Sequence, residues 1–346
     1  MSLLRHSASH HTSPLAQTPL SLLDLAPIRQ GASIQDALDD SVALARRADE
    51  LGYQRYWLAE HHNIDGIASA ATSVLIGHIA SHTRRIRVGS GGVMLPNHAP
   101  LVIAEQFGTL ATLHPERIDL GLGRAPGADG ATMRALRRDP LAGVEDFPER
   151  LNELRRYLAD AQPDQRIRAV PGQSTHVPVW LLGSSGYSAR LAAHLGLPFA
   201  FAAQFAPGYL LEALHIYRNE FQPSAVLEEP YAMIGMPVTV ADTDAQAHYL
   251  NTTAQQKFLN LHRGKSTRAL PPTEHIDWTS RERAAVAQNL GAAVVGSPGS
   301  VRDELDAFIA HTGADELMVV TDVYHRDDRL RSIELLDALR QGTSTS

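Results

Sequence analysis

"RIRVGSGGVMLPNHAPLVIAEQFGTLATLHPERIDLGLG" occupies residues 85–123. Its two ends, 85–95 and 117–123, are short apolar runs. Between them, 99–114 has the length and composition of a helix. Strands that stay apolar on both faces and are joined through a helix belong to a parallel sheet covered on both sides.

The same alternation extends in both directions. Strands are expected at 20–27, 53–60, 85–95, 117–123, 177–183, 198–205, 231–241 and 316–322. Helices are expected at 33–52, 67–83, 99–114, 147–161, 185–196, 208–221, about 243–260, 297–313 and about 327–341. Ser33 can cap the first helix and Gly52 can end it. Pro298 suits a first turn and Gly313 a helix end. Eight strand–helix units predict an α/β fold, a (β/α)8 (TIM) barrel with insertions forming one domain over 19–346. A doubly wound open sheet is the alternative. Residues 1–18 read as a loose Ser/His/Thr/Pro-rich tail without a signal-peptide core. Residues 261–296 are long and polar, and are expected to form a mobile lid.

Composition narrows the chemistry. The chain has 346 residues, 44% of them hydrophobic, and a formal net charge of -7. That balance argues against nucleic-acid binding, which needs a basic face. No cysteine is present, so disulfides, thiolate catalysis and Cys-ligated zinc are excluded. The only lysines are Lys257 and Lys265, both in polar, strand-poor sequence. No apolar stretch reaches the 18 or so residues of a membrane helix. A cytoplasmic location is the default expectation.

Catalytic residues of a barrel gather where strands end, and four groups fall there. Glu60, His61 and His62 follow strand two. Adjacent residues on an extended chain point to opposite sides, which disfavours a shared metal ion. Either the histidines are structural, or one is an acid–base group with Glu60 orienting the loop. Gly91 and Gly92 interrupt strand three, either as a bulge or to leave room for a flat ligand. After strand four, Gly121, Gly123 and Gly127 are spaced G-x-G-x-x-x-G, and Pro126 breaks the context a dinucleotide fingerprint requires. Arg124 in that loop suits a phosphate, or a structural partner. After strand five, Gly183, Ser184, Ser185 and Gly186 lie at a helix start, which is either an anion site or an ordinary N-cap. Together these describe a barrel mouth that grips a phosphate beside a flat ring, a description a flavin mononucleotide fits. Tyr209, Trp278 and Tyr324 are candidate pocket aromatics.

On "RYWLAEHHN", the 88–127 block, "WLLGSSGYSARLAA" and "ELMVVTDVYHRDDRL", the chain resembles the bacterial luciferase-like family of flavin-dependent monooxygenases. The resemblance covers most of residues 19–335. It implies reduced FMN as cosubstrate and O2 as oxidant, through a flavin C4a-peroxide that oxygenates a small organic substrate. His61 matches the family's catalytic histidine. Gly91 and Gly92 match the non-prolyl cis peptide beneath the isoalloxazine ring. Met94 and Gly123 fall beside these cofactor contacts. Arg124 and the turn from Ser184 to Tyr187 match the phosphate contacts. A separate flavin reductase and a homodimer built on the second and third helices are further implications. Light emission and aldehyde use do not carry over. Other readings are a deazaflavin-dependent hydride-transfer reductase, a non-enzymatic flavin-binding protein and a metal-dependent barrel hydrolase.

Overall fold

Strands β1 (Leu20–Asp24), β2 (Arg55–Leu58), β3 (Arg87–Met94), β4 (Ile118–Gly123), β5 (Val179–Gly183), β6 (Phe199–Ala202) and β7 (Ala232–Val240) pair in sequence, all parallel. A short strand, β8 (Val294–Gly296), follows. Then β9 (Glu316–Val320) lies between β7 and β1 and closes the ring. Eight parallel strands therefore form a barrel, and the open-sheet alternative is excluded. The computed structural model describes residues 13–125, 130–136 and 146–342. The first twelve residues, Pro126 and Gly127 lie outside them.

The helices are α1 (Pro14–Gln17), α2 (Ile34–Leu51), α3 (Thr72–His82), α4 (Pro100–Leu113), α5 (Gly130–Ala135), α6 (Phe147–Leu158), α7 (Gly186–His194), α8 (Leu210–Asn219), α9 (Asp244–His262), α10 (Ser280–Asn289), α11 (Pro298–Thr312) and α12 (Arg326–Gln341). Local chemistry sets several of their ends. Ser33 and Asp36 form a reciprocal capping box at α2, and Gly52 closes it at φ 79°, a conformation that suits glycine. Gly313 ends α11 the same way at φ 60°.

Side chains alternate between two cores. Tyr56, Leu58, Val88 and Leu120 point outward and pack under the helices. Leu23, Trp57, Trp180, Met233 and Met318 point inward and fill the barrel. Below that layer, charge closes the barrel's lower end. Arg55 Nη1 lies 2.7 Å from Asp119 and its Nε 3.0 Å from Glu316, both carboxylates being fully buried. Trp57 Nε1 donates to Asp119 and Tyr231 Oη to Glu316. The Arg55 guanidinium also sits 4.6 Å from the centre of the Trp180 ring. Charges so deep are tolerated because each is paired and hydrogen-bonded.

Two segments depart from the sequence expectations. Residues 13–17, assigned to the tail, include the helical turn α1, with Leu15 fully buried. Ser13 Oγ and the Leu15 N–H both donate to Asp306, at 2.6 and 2.8 Å. The expected lid is also more structured than its polarity implies. It carries α10, capped by Thr279 and Glu282, and β8, which pairs with the end of β7 beyond the barrel. Its irregular part is fastened to the loop after β2: Asp65 accepts from Ser266 and Thr267. There the chains pass so closely that a Cβ on Gly66 would fall 2.3 Å from the Thr267 carbonyl oxygen. Short polar side chains bonding to backbone produced low apparent order in the sequence but definite structure in the fold.

Candidate active site

The strand ends open into two adjoining cavities. The first, about 350 Å³, lies over the β3–β6 side. Small residues create it: Gly91, Gly92, Gly123, Ala200, Ala202 and Gly235 all contribute to its wall. The pairing of β3 with β4 shifts between Ser90 and Val93, so Gly91 and Gly92 leave the regular ladder. The bond between them is cis. A Cβ on Gly91 would lie 2.6 Å from Leu23 Cδ1, and one on Gly92 would lie 2.7 Å from the Gly121 carbonyl oxygen. The pair thus forms a bulge, and its backbone is part of the cavity wall.

Arg124, Gly183, Ser184 and Ser185 line the same cavity, as do Met94 and His61. The Arg124 guanidinium stacks on the Tyr187 ring, 4.0 Å from its centre. Tyr187 thus reaches the site through Arg124; neither it nor Gly186 is part of the cavity wall. Ser185 is the N-cap residue of α7, yet its side chain makes no cap hydrogen bond. Its hydroxyl and the first N–H groups of the helix remain available to a ligand.

The second cavity, about 190 Å³, lies over β7, β9 and α9. It is lined mainly by apolar groups, among them Ile64, Ile67, Phe258 and Leu261. Leu23, His61, Gly91, Met94, Gln204 and Phe205 line both cavities. His61 therefore stands at their junction.

Its neighbours support it. Buried Glu60 accepts the Met94 N–H at 3.0 Å and lies 2.9 Å from Nε2 of both His62 and His98. Burial pushes the Glu60 carboxyl up, but the bonds and charge of His98, with His62 and the Met94 N–H, outweigh it and hold the group below its ordinary value. Glu60 and His62 thus tie the loops after β2 and β3 together. Among the described residues, no three His, Cys, Asp or Glu side chains form a metal-binding group.

Three residues were not assigned to the site from sequence. Gln204 is 8% exposed, and its Oε1 has no hydrogen-bond partner. Lys257 on α9 and Asp322 after β9 face the second cavity as an ion pair. Gln204 and Asp322 follow strand ends, the signal that located the other groups; nothing local marked Lys257. The aromatics differ from expectation too. Tyr209, Trp278 and Tyr324 lie outside both cavities, while Trp57, Phe201, Phe205 and Phe258 line them.

The family model for luciferase-like monooxygenases matches residues 12–316. The chain belongs to the luciferase-like monooxygenase family. It is 53% identical over 317 residues to a luciferase-like monooxygenase of Escherichia coli strain K12, covering 91% of this chain and 95% of that one. The crystal structure of apo-MsnO8 superposes with a TM-score of 0.85 at 37% identity, covering 94% and 98% of the two chains. The oxygenating constituent of 3,6-diketocamphane monooxygenase from Pseudomonas putida, solved in complex with FMN, shares the fold at a TM-score of 0.73 and 17% identity, covering 94% and 98%. As a family member the chain is an oxidoreductase on a (β/α)8 barrel.

Proposed function

We propose that this luciferase-like monooxygenase binds reduced FMN in the larger cavity and uses O2 to oxygenate a small organic substrate held in the smaller one. One observation carries the reading. The glycine floor, Arg124 and the uncapped Ser184-Ser185 turn all face a single cavity of a size suited to a cofactor. The phosphate belongs between Arg124 and the α7 start, where a guanidinium, hydroxyls and helix N–H groups converge. The flat ring belongs over Gly91 and Gly92, which line the cavity with backbone alone. Gln204 Oε1 offers an acceptor for a ring N–H.

Bound reduced FMN supplies the electrons that activate O2 for insertion of one oxygen atom. The chain's own part is binding, orientation and the exclusion of water. His61, at the junction of the cavities, is placed to move a proton between the two occupants. α9, α10 and the segment joining them cover the smaller cavity and act as its lid.

A homodimer through α3 and α4 fits the exposure of Val74, Val102 and Leu113 on those helices. A separate reductase is the expected source of reduced flavin. Among the described residues no helix is long and apolar enough to cross a membrane.

The test is anaerobic titration with reduced FMN and a reduced deazaflavin, followed by rapid mixing of the complex with O2. Reduced FMN should bind preferentially, and on reoxidation without substrate the complex should release hydrogen peroxide more slowly than free reduced flavin does. A preference for deazaflavin with no reaction with O2 would favour a hydride-transfer reductase instead. In His61→Ala, flavin affinity should persist while substrate oxygenation falls about 100-fold or more. Unchanged turnover would remove His61 from the mechanism.

A further inference from the structure

At the end of the barrel opposite its mouth, a groove of about 740 Å³ runs between α6, the starts of β5 and β6 and the chain ahead of β7. Helix α6 turns Asn152, Arg155, Arg156 and Ala159 towards it, the i, i+3, i+4, i+7 spacing of one helical face. Val177 and Leu197 give the groove a buried apolar floor, and Val226, 51% exposed, gives it an apolar side.

Charge here has one sign. Arg155 and Arg156 line the groove, and among the described residues no Asp or Glu lines it. Asn152 and His176 offer donors and acceptors alike, so they favour neither charge. Asp160, which pairs with His176, and Glu153, which accepts from Tyr157, lie outside the lining. Arg155 is half-buried, and burial alone pulls its guanidinium below the ordinary value, with no carboxylate charge to offset it. Other half-buried arginines are compensated. Arg117 donates to the carbonyls of Ala80, Thr83 and Ile86, and Arg218 to those of Thr312 and Gly313. The last turn of α6 holds both groove arginines, and the helix dipole favours positive charge there. An exposed side chain would serve the dipole as well, so the dipole does not account for the water Arg155 gives up. An anion brought by a ligand would restore what burial removes.

We infer that this groove is a second binding site, which takes an oxyanion, carboxylate or phosphate, carried on an apolar body. Arg155 and Arg156 hold the anion, and the floor and the Val226 side cover the body. About 740 Å³ of space falls within the ~300–1,000 Å³ of drug-sized sites. The site is separate from the two cavities at the mouth and does not depend on what they bind.

Calorimetry with hexanoate, hexyl phosphate, hexanol and hexylamine tests this on the whole chain. Both anions should bind at least about tenfold tighter than the alcohol and the amine, the difference one charge-assisted contact makes. The tighter of the two anions names the headgroup. Arg155→Met and Arg156→Met should each lower anion affinity about tenfold or more. Arg124→Ala, at the mouth, should leave it unchanged. Thermal unfolding checks each variant, and exposed Arg156 keeps the test open if Arg155→Met does not fold. Equal binding of the four compounds, binding of none, or anion affinity that survives the arginine substitutions would overturn the inference. So would a loss in Arg124→Ala, which would put the anion at the mouth.

Discussion

Arg124 rests on an aromatic ring. The Tyr187 face holds its guanidinium, and no ion pair to it occurs among the described residues, which is what the proposed phosphate contact requires. Arg124→Ala should weaken FMN binding by about 10–100-fold, the cost of a charge-assisted contact. Riboflavin, which lacks the phosphate, should bind the variant as it binds the parent. Fluorescence titration with both ligands decides the matter, and equal losses would place Arg124 away from the phosphate. Position alone brought this residue forward in the sequence, as an arginine directly after a strand that suits either a phosphate or a structural partner; the structure puts it on the cavity wall against Tyr187. Gln204 also follows a strand, but an amide there is ordinary. Only its burial without a partner, next to glycines, marks it.

Strands β3 and β4 meet most tightly at the glycines. A methyl on Gly92 would press on the Gly121 carbonyl, which is backbone in the adjacent strand and cannot rotate away. Gly92→Ala should therefore cost about 1–3 kcal/mol of stability, the usual range for overpacking. Gly208, with open space around its would-be Cβ, should tolerate alanine with a change of roughly 0.5 kcal/mol or less. Urea unfolding of the two variants gives the comparison; similar losses would refute the packing argument. Helix ends set by local chemistry were readable in advance, as at Ser33 and Gly52. The start of α3 was not. Residues 67–71 continue the helical pattern, yet Ile67 bridges to Pro27 and the Gly66 carbonyl accepts from Ile28. A distant segment claimed them, and no local window contains it.

Across the whole molecule, buried acids shape the response to pH. Burial pushes Asp24 up, but the charge of Arg329 and the hydrogen bonds of Ser41, Tyr56 and Arg329 hold it below its ordinary value. Glu60 behaves alike. A carboxyl whose value is lower in the folded chain stabilises it above the unfolded value, and that contribution fades as pH falls towards the folded one. Stability from these two groups should therefore decline below about pH 4.5. Glu316, raised chiefly by burial, acts in the opposite sense. Glu60→Gln should flatten the fall in urea-unfolding free energy between about pH 5 and 3. An unaltered slope would mean that Glu60 is no better stabilised as an anion in the folded chain than in the unfolded one. The barrel itself was legible because eight apolar strands separated by helices admit few other arrangements. The closure of its lower end was less so. Arg55, Asp119 and Glu316 sit near strand starts far apart in sequence, and only the closed ring brings them together.

The wall common to the two cavities has a thermodynamic corollary. Leu23, His61, Gly91, Met94, Gln204 and Phe205 each face both spaces, so a rearrangement that suits one occupant alters the surface offered to the other. Binding at the two spaces is then linked. The factor by which a filled larger cavity changes affinity in the smaller one equals the factor in the reverse direction. Four dissociation constants close a cycle, and any three fix the fourth. A side chain replaced on the shared wall that alters the coupling must alter it equally in both directions, and this can be weighed with the oxygen chemistry switched off.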